Sequence, residues 1–142
     1  MNLLFVHDHI FYSDNENIYY SVGGFPYYQW KKYLDHFTEV TVVARYGGKI
    51  RGKTIVKSSA QNVHFKFVNS ISSLKGLFRK NNVKKTLIKE INEASAVVIR
   101  LPSENGLMAA KIARKLGIPY SIEVVGCAWD ALWHYGSLIG KF

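Results

Sequence analysis

The chain has 142 residues, 48% of them apolar, with a formal net charge of +9 and a single cysteine. That length holds one domain with a real core, and that composition excludes a disordered chain. One cysteine excludes an internal disulfide, and no apolar run approaches the roughly 20 residues a membrane span needs.

Residues 1–10 lack the basic start and small-residue cleavage site of a signal peptide. With the cysteine usage, this favours the cytosol. Cys127 reads as a free, inert thiol, because no base or pocket is placed beside it. The charge is uneven. Twelve Lys or Arg residues lie between Arg45 and Lys89, and all ten acids lie outside that stretch. The middle of the chain should present a basic surface that attracts phosphate-rich partners. An anionic membrane face, nucleic acid or a phosphorylated substrate would each fit, as would a solvated face with no partner.

Leu3–Val6 is an apolar run of strand length, and His7-Asp8-His9 follows it at once. Residues 8–24 then read as a long loop, and loops of that length are often functional. Tyr12, Tyr19 and Tyr20 lie in it and could stack on a sugar or base, or cover the sheet edge. The loop ends at Gly23-Gly24, where glycine lets a ligand approach the backbone closely. Pro26 suits a first helical turn. Trp30, Tyr33, Leu34 and Phe37 then recur at i, i+3, i+4 and i+7, one buried helix face.

Val40–Ala44 is nearly all β-branched and reads as a strand buried on both faces. Residues 45–61 read as a basic loop or hairpin, with Ile55-Val56 a possible short extra strand. Val63, Phe65 and Phe67 alternate with His64 and Lys66, a half-exposed strand near a sheet edge. Ser72-Ser73 could cap a short helix to about Arg79. A second helix should bury Val83, Leu87, Ile88 and Ile91. Ala96–Ile99 is a fourth strand, with Arg100-Leu101-Pro102-Ser103 directly after it. Ser103 fits as N-cap of the helix Glu104–Leu116, with Leu107, Met108, Ile112 and Leu116 as its expected stripe. Gly117 suits the C-terminal cap, Pro119 stops the helix, and Tyr120–Val125 is a fifth strand.

Strands alternating with helices predict an α/β domain over 1–142, with a mostly parallel sheet of about five strands and helices on both faces. Right-handed crossovers suggest the order 3-2-1-4-5. In such a sheet the ligand lies beyond the carboxyl ends of the strands. Those ends carry His7, Asp8, Gly23, Gly24, Arg45, Arg100 to Ser103 and Glu123 to Gly126.

The familiar catalytic motifs are missing. There is no GxGxxG after the first strand and no GxxxxGK[ST]. His7 and His9 should point the same way in an extended segment, but no distant Cys or His cluster completes a metal site. No metal and no cofactor are expected. No Ser–His–Asp or paired-carboxylate constellation stands out either.

Three stretches resemble the N-terminal half of bacterial GT-B glycosyltransferases of the retaining group 1 (family 4) type. They are Leu3–Asp8, Gly23-Gly24-Phe25-Pro26 leading into Trp30, and Val40–Arg45. Arg100–Ser103, and Glu123–Gly126 followed by Trp129–Trp133, are similar too. The resemblance implies a Rossmann-like three-layer fold and the acceptor-holding half of a two-domain enzyme of surface-polysaccharide assembly. It implies Gly23 and Gly24 near the donor diphosphate, with Arg100, Ser103 and Glu123 on the acceptor side. The implied partners are a nucleotide-sugar donor and a glycan or lipid-linked acceptor, at the cytoplasmic face of an anionic membrane. The family's E-x7-E motif is absent, since no two of the six Glu residues are eight positions apart. The chain therefore reads as an isolated N-terminal half, inactive alone, with Trp129–Phe142 a candidate for part of the wall facing the missing half.

Two other readings compete. One is a basic α/β module for RNA or another polyanion, but Phe65, Phe67 and Phe78 read as core residues rather than an exposed stacking face. Nucleic acid is accordingly disfavoured. The other is a different small nucleotide-binding α/β enzyme, which would turn over unaided.

Overall fold

The computed structural model describes residues 1–52, 55–69 and 76–126. Cys127, the Ser72-Ser73 cap and the Trp129–Phe142 segment lie outside the described residues, as does the side chain of Phe78.

In chain order the strands are β1 (Asn2–Ser13), β2 (Tyr19–Ser21), β3 (Glu39–Lys49), β4 (Val56–Lys57), β5 (Val63–Phe67), β6 (Ala96–Leu101) and β7 (Tyr120–Val124). The helices are α1 (Lys31–Leu34), which continues a 3-10 turn over Tyr27–Trp30, then α2 (Gly76–Glu93) and α3 (Glu104–Leu116). β1 pairs in parallel with β3 and β6, β3 with β5, and β6 with β7. β2 runs antiparallel to β1, and β4 antiparallel to β2.

Among the described residues the sheet is thus mixed and has seven strands. This corrects the expected Rossmann-like, mostly parallel sheet of about five strands. The cause lies in residues 8–24, which are not one loop. β1 runs on through Ile10-Phe11-Tyr12, residues that favour a pleated, half-buried surface. A turn at Asp14–Ile18 then returns the chain as β2. The Asp14 carboxylate accepts from the backbone N–H groups of Glu16 and Ile18, both at 2.9 Å. That local bond set is the ordinary chemistry of an Asx turn. β3 likewise extends through Gly47-Gly48 to Lys49.

Two apolar layers sandwich the sheet. Alternation along β1 sends Leu3 and Phe5 to one face and Leu4 and Val6 to the other. Leu4 and Val6 pack with Val83, Leu87 and Ile91 of α2 and with Ala109, Ile112 and Ala113 of α3. Leu3 and Phe5 pack with Phe11, Phe25 and Trp30. Burial on both faces is why β1, β3 and β6 read as continuous apolar runs.

Two helix expectations change. Where a short helix ending near Arg79 and then a second helix were expected, Gly76–Glu93 forms one continuous helix, α2. α3 turns a different face inward than its large residues suggest. Asn105, Gly106, Ala109, Ile112 and Ala113 are buried, whereas Leu107 and Leu116 are exposed. Small residues let α3 lie close on the sheet. A Cβ on Gly106 would stand 3.1 Å from the Arg100 carbonyl oxygen and from Ile99. Ser103 and Gly117 cap this helix as expected. The Ser103 hydroxyl accepts from the Gly106 N–H, and Gly117 takes a left-handed φ of 68°.

Candidate functional site

The site begins where the pairing of β1 with β6 ends, at Val6. The β1–β3 register shifts between Val6 and Ile10, so His7-Asp8-His9 forms an irregularity within that parallel ladder, which resumes at Ile10. Bulges of this kind re-aim side chains next to functional sites. The rings of His7 and His9 lie on one side, nearly parallel at 13° and 6.2 Å apart. Asp8 points elsewhere. Its two carboxylate oxygens accept from the backbone N–H groups of Glu104 (2.7 Å) and Asn105 (3.2 Å). The carboxylate neutralises the positive start of α3 and is thereby committed to structure.

The glycine pair reaches this point through Phe25. Gly23 (φ 67°), Gly24 (φ 51°) and Phe25 (φ 51°) take left-handed backbone in succession. Nothing lies within 4 Å of where a Cβ on either glycine would be, so conformation rather than space calls for glycine there. Phe25 is different, because a bulky residue rarely adopts that φ. Its ring is held by packing: 5.8 Å from His7, 4.7 Å from His9 and stacked at 5.7 Å on Trp30. Such locally costly backbone persists only where its surroundings over-determine it.

Arg100 closes the cluster. Its guanidinium lies 4.8 Å from the centre of the Phe25 ring, a cation–π contact. Among the described residues no carboxylate lies within ion-pair distance of it. Its Nε is buried without a hydrogen-bond partner, and so is His7 Nδ1. Asn105, 1% exposed, leaves both side-chain amide atoms unpartnered. Buried polar atoms normally have partners, so several orphans at one strand end are a feature to explain.

Both histidines are neutral at pH 7. Burial, then the nearby Arg100 charge, holds His7 below its usual range. Burial, His7 and Arg100 push His9 down to about 4. The Ser21 hydroxyl donates to the Gly23 carbonyl, so it must accept from His9 Nε2. That assigns His9 the Nε2–H tautomer.

Glu123 stands beside Arg100 in the β6–β7 register. It accepts from the Tyr33 hydroxyl at 2.8 Å and from Lys32 Nζ at 3.3 Å. Tyr33 is held far above its ordinary pKa by burial and by this bond, so it stays a neutral donor. Of the five residues expected at the site, Gly23, Gly24 and Arg100 converge through Phe25, and Glu123 joins at the Arg100 side. Ser103 is set apart as the buried cap of α3. Sequence reasoning missed Phe25, Tyr33 and Asn105. For Phe25 a signal existed: an aromatic directly after a glycine pair. Among the described residues no cluster of His, Cys, Asp and Glu could hold a metal ion.

A cleft of about 440 Å³ opens beside His7, His9 and Pro102. A larger cavity, about 710 Å³, lies elsewhere, between α2 and α3. It has an apolar floor that includes Leu107 and Met108, and Lys80, Lys84, Lys111 and Lys115 surround it. Among the described residues no helix is long and apolar enough to cross a membrane.

Comparison with known proteins bears on the whole of this surface. No protein-family model matches the chain, and no solved structure matches it. Protein CapJ of Staphylococcus aureus is 40% identical to it over 144 residues, taking in 99% of this chain and 36% of that protein. The chain therefore spans about a third of the length of the curated relative it matches.

Proposed function

We propose that this chain is the acceptor-binding part of a glycosyltransferase that works in surface-polysaccharide synthesis. The observation that carries the reading is the strand-end cluster. A guanidinium without a carboxylate partner among the described residues and two neutral imidazoles stand around one strained aromatic residue. Sugars offer hydroxyls that donate and accept, and such mixed polar groups beside an aromatic ring suit them. The likeness to Protein CapJ, a capsule-type name, fits the polysaccharide part of the reading.

In this reading Gly23 and Gly24 face the nucleotide-sugar donor, and Arg100 and Glu123 orient the acceptor. Ser103 acts through α3, by holding its first turn against the strand ends. Transition-state stabilisation at the leaving diphosphate comes from outside this chain. The lysine-ringed cavity between α2 and α3 supports a further part of the proposal, a site that rests on an anionic membrane carrying the acceptor. Each basic residue near such a surface contributes about 1 kcal/mol.

Deleting the encoding gene in its host tests the function. The expected result is loss of the surface polysaccharide, with a lipid-linked intermediate one sugar short accumulating in the membrane. Restoring the gene should reverse both, and restoring it as Arg100→Gln should not. Intact polysaccharide in the deletion strain would contradict the proposal.

A further inference from the structure

The strand-end cleft does not stop at His9. A second cavity of about 380 Å³ adjoins it, and Tyr12 and Val22 line both. The second cavity lies on the antiparallel addition to the sheet, against the far end of β3. Its wall includes Gly47, Gly48, Lys49 and Arg51.

Tyr12 is held in place between the two. A Cβ on Gly47 would stand 2.4 Å from Tyr12 Cε1 and 2.7 Å from Ile10 Cγ2. No real side chain tolerates such contacts, so Gly47 is the residue that makes room for this ring. A fixed aromatic face between two hollows is a platform for the apolar face of a sugar ring.

Charge differs along the groove. Among the described residues Asp8 is the only acid lining either cavity, and both its oxygens accept from the start of α3. The far end holds Lys49 and Arg51 and no acid. Lys49 Nζ donates to the Asp14 carbonyl oxygen at 2.6 Å, a neutral partner, and its charge also acts on the nearby Asp14 carboxylate without forming an ion pair. The Asp14 carboxylate itself accepts from Glu16, Ile18 and the Tyr20 hydroxyl. Among the described residues neither Lys49 nor Arg51 forms an ion pair.

We propose that the two cavities form one groove for an acidic glycan, with Tyr12 beneath a sugar ring and Lys49 and Arg51 on its oxyanion. The proposal rests on the acceptor-binding reading and adds the acceptor's length and charge. The acceptor spans at least two units, and the anionic group sits on the unit farther from Arg100. A hexuronate carboxylate and a sugar phosphate share this chemistry, since each offers oxyanion oxygens to a guanidinium and an ammonium.

Backbone-amide NMR of the 142-residue chain decides it, with trigalacturonic acid, glucose 6-phosphate and maltotriose as probes. Shifts at Gly47, Gly48 and Arg51 with trigalacturonic acid would assign a carboxylate, and with glucose 6-phosphate a phosphate. The double variant Lys49→Gln, Arg51→Gln should weaken that binding by about tenfold or more and leave maltotriose unaffected. Both positions are on the surface, and an otherwise unchanged spectrum will confirm the fold. If maltotriose binds as tightly as trigalacturonic acid, the acidic specificity is overturned while the acceptor reading stands. If no probe moves these amides, the groove is overturned. If Gly23, Gly24 and Arg100 are also silent, the acceptor reading fails with it.

Discussion

Trp30→Ala should lower the free energy of unfolding by about 3–5 kcal/mol, among the largest effects of any single truncation in the chain. Trp30 is 1% exposed and sits where the short helical segment meets the sheet. Its indole packs edge-on against Phe5 at 5.4 Å and Phe65 at 6.2 Å, and stacks on Phe25 at 5.7 Å. Its Nε1 donates to the Ser58 carbonyl at 2.9 Å. Alanine removes the ring, leaves a cavity among aromatics that cannot collapse together, and orphans that carbonyl. Trp30→Phe keeps most of the packing and loses the hydrogen bond, so it should cost only about 1–3 kcal/mol. Urea unfolding followed by circular dichroism measures both. A loss under about 1 kcal/mol for the alanine variant would show that this layer is not the core described here. The variant also bears on the site, because the Phe25 ring that supports Arg100 rests on Trp30.

Acid should destabilise the fold from pH 6.5 downward. His9 titrates near 6.5 when unfolded and at about 4 when folded. Between those values the unfolded chain binds a proton that the native chain does not. Stability therefore rises with pH through this window and is complete above pH 6.5. It is lost as pH falls towards 4, with His7, also lowered, acting in the same direction. His9 is partly open to solvent, so screening reduces its share to about 1–2 kcal/mol. Unfolding free energies measured at pH 7 and pH 4.5 should differ by that amount, and His9→Gln should shrink the difference. A variant as acid-sensitive as the parent would remove His9 as the cause.

The cores on both faces of the sheet were legible because they are written in periodicity. Leu3–Val6 is an unbroken apolar run, Val40–Ala44 is apolar but for Thr41, and Val83, Leu87 and Ile91 recur every four residues. Of the β2–β4 addition only a possible short strand at Ile55-Val56 was legible, close to the observed β4, while β2 was read as loop. Its strands are two and three residues long, and tertiary pairing rather than local propensity holds them in place. A turn signal was nevertheless present, in Asp14-Asn15-Glu16-Asn17 between two tyrosine-rich runs. The buried face of α3 was misread because size was taken as the guide. Close packing chose alanine and glycine instead. At the proposed site, strand-end position pointed to Arg100 and Glu123, and glycine chemistry pointed to Gly23 and Gly24. Position could not separate Ser103, whose hydroxyl is occupied by its own helix, from residues that face a ligand. Nor could it reveal Phe25, whose place depends on contacts from β1 and the Trp30 segment together.

The most direct measurement uses the lipid-linked intermediate that accumulates when the gene is deleted. Its glycan head, released from the lipid, is titrated into the labelled 142-residue chain. Amide shifts should gather at Gly23, Gly24, Phe25 and Arg100, and Arg100→Gln should weaken binding about tenfold or more. Binding confined to the α2–α3 cavity, or no binding at all, would contradict the assignment of the strand ends as the acceptor site.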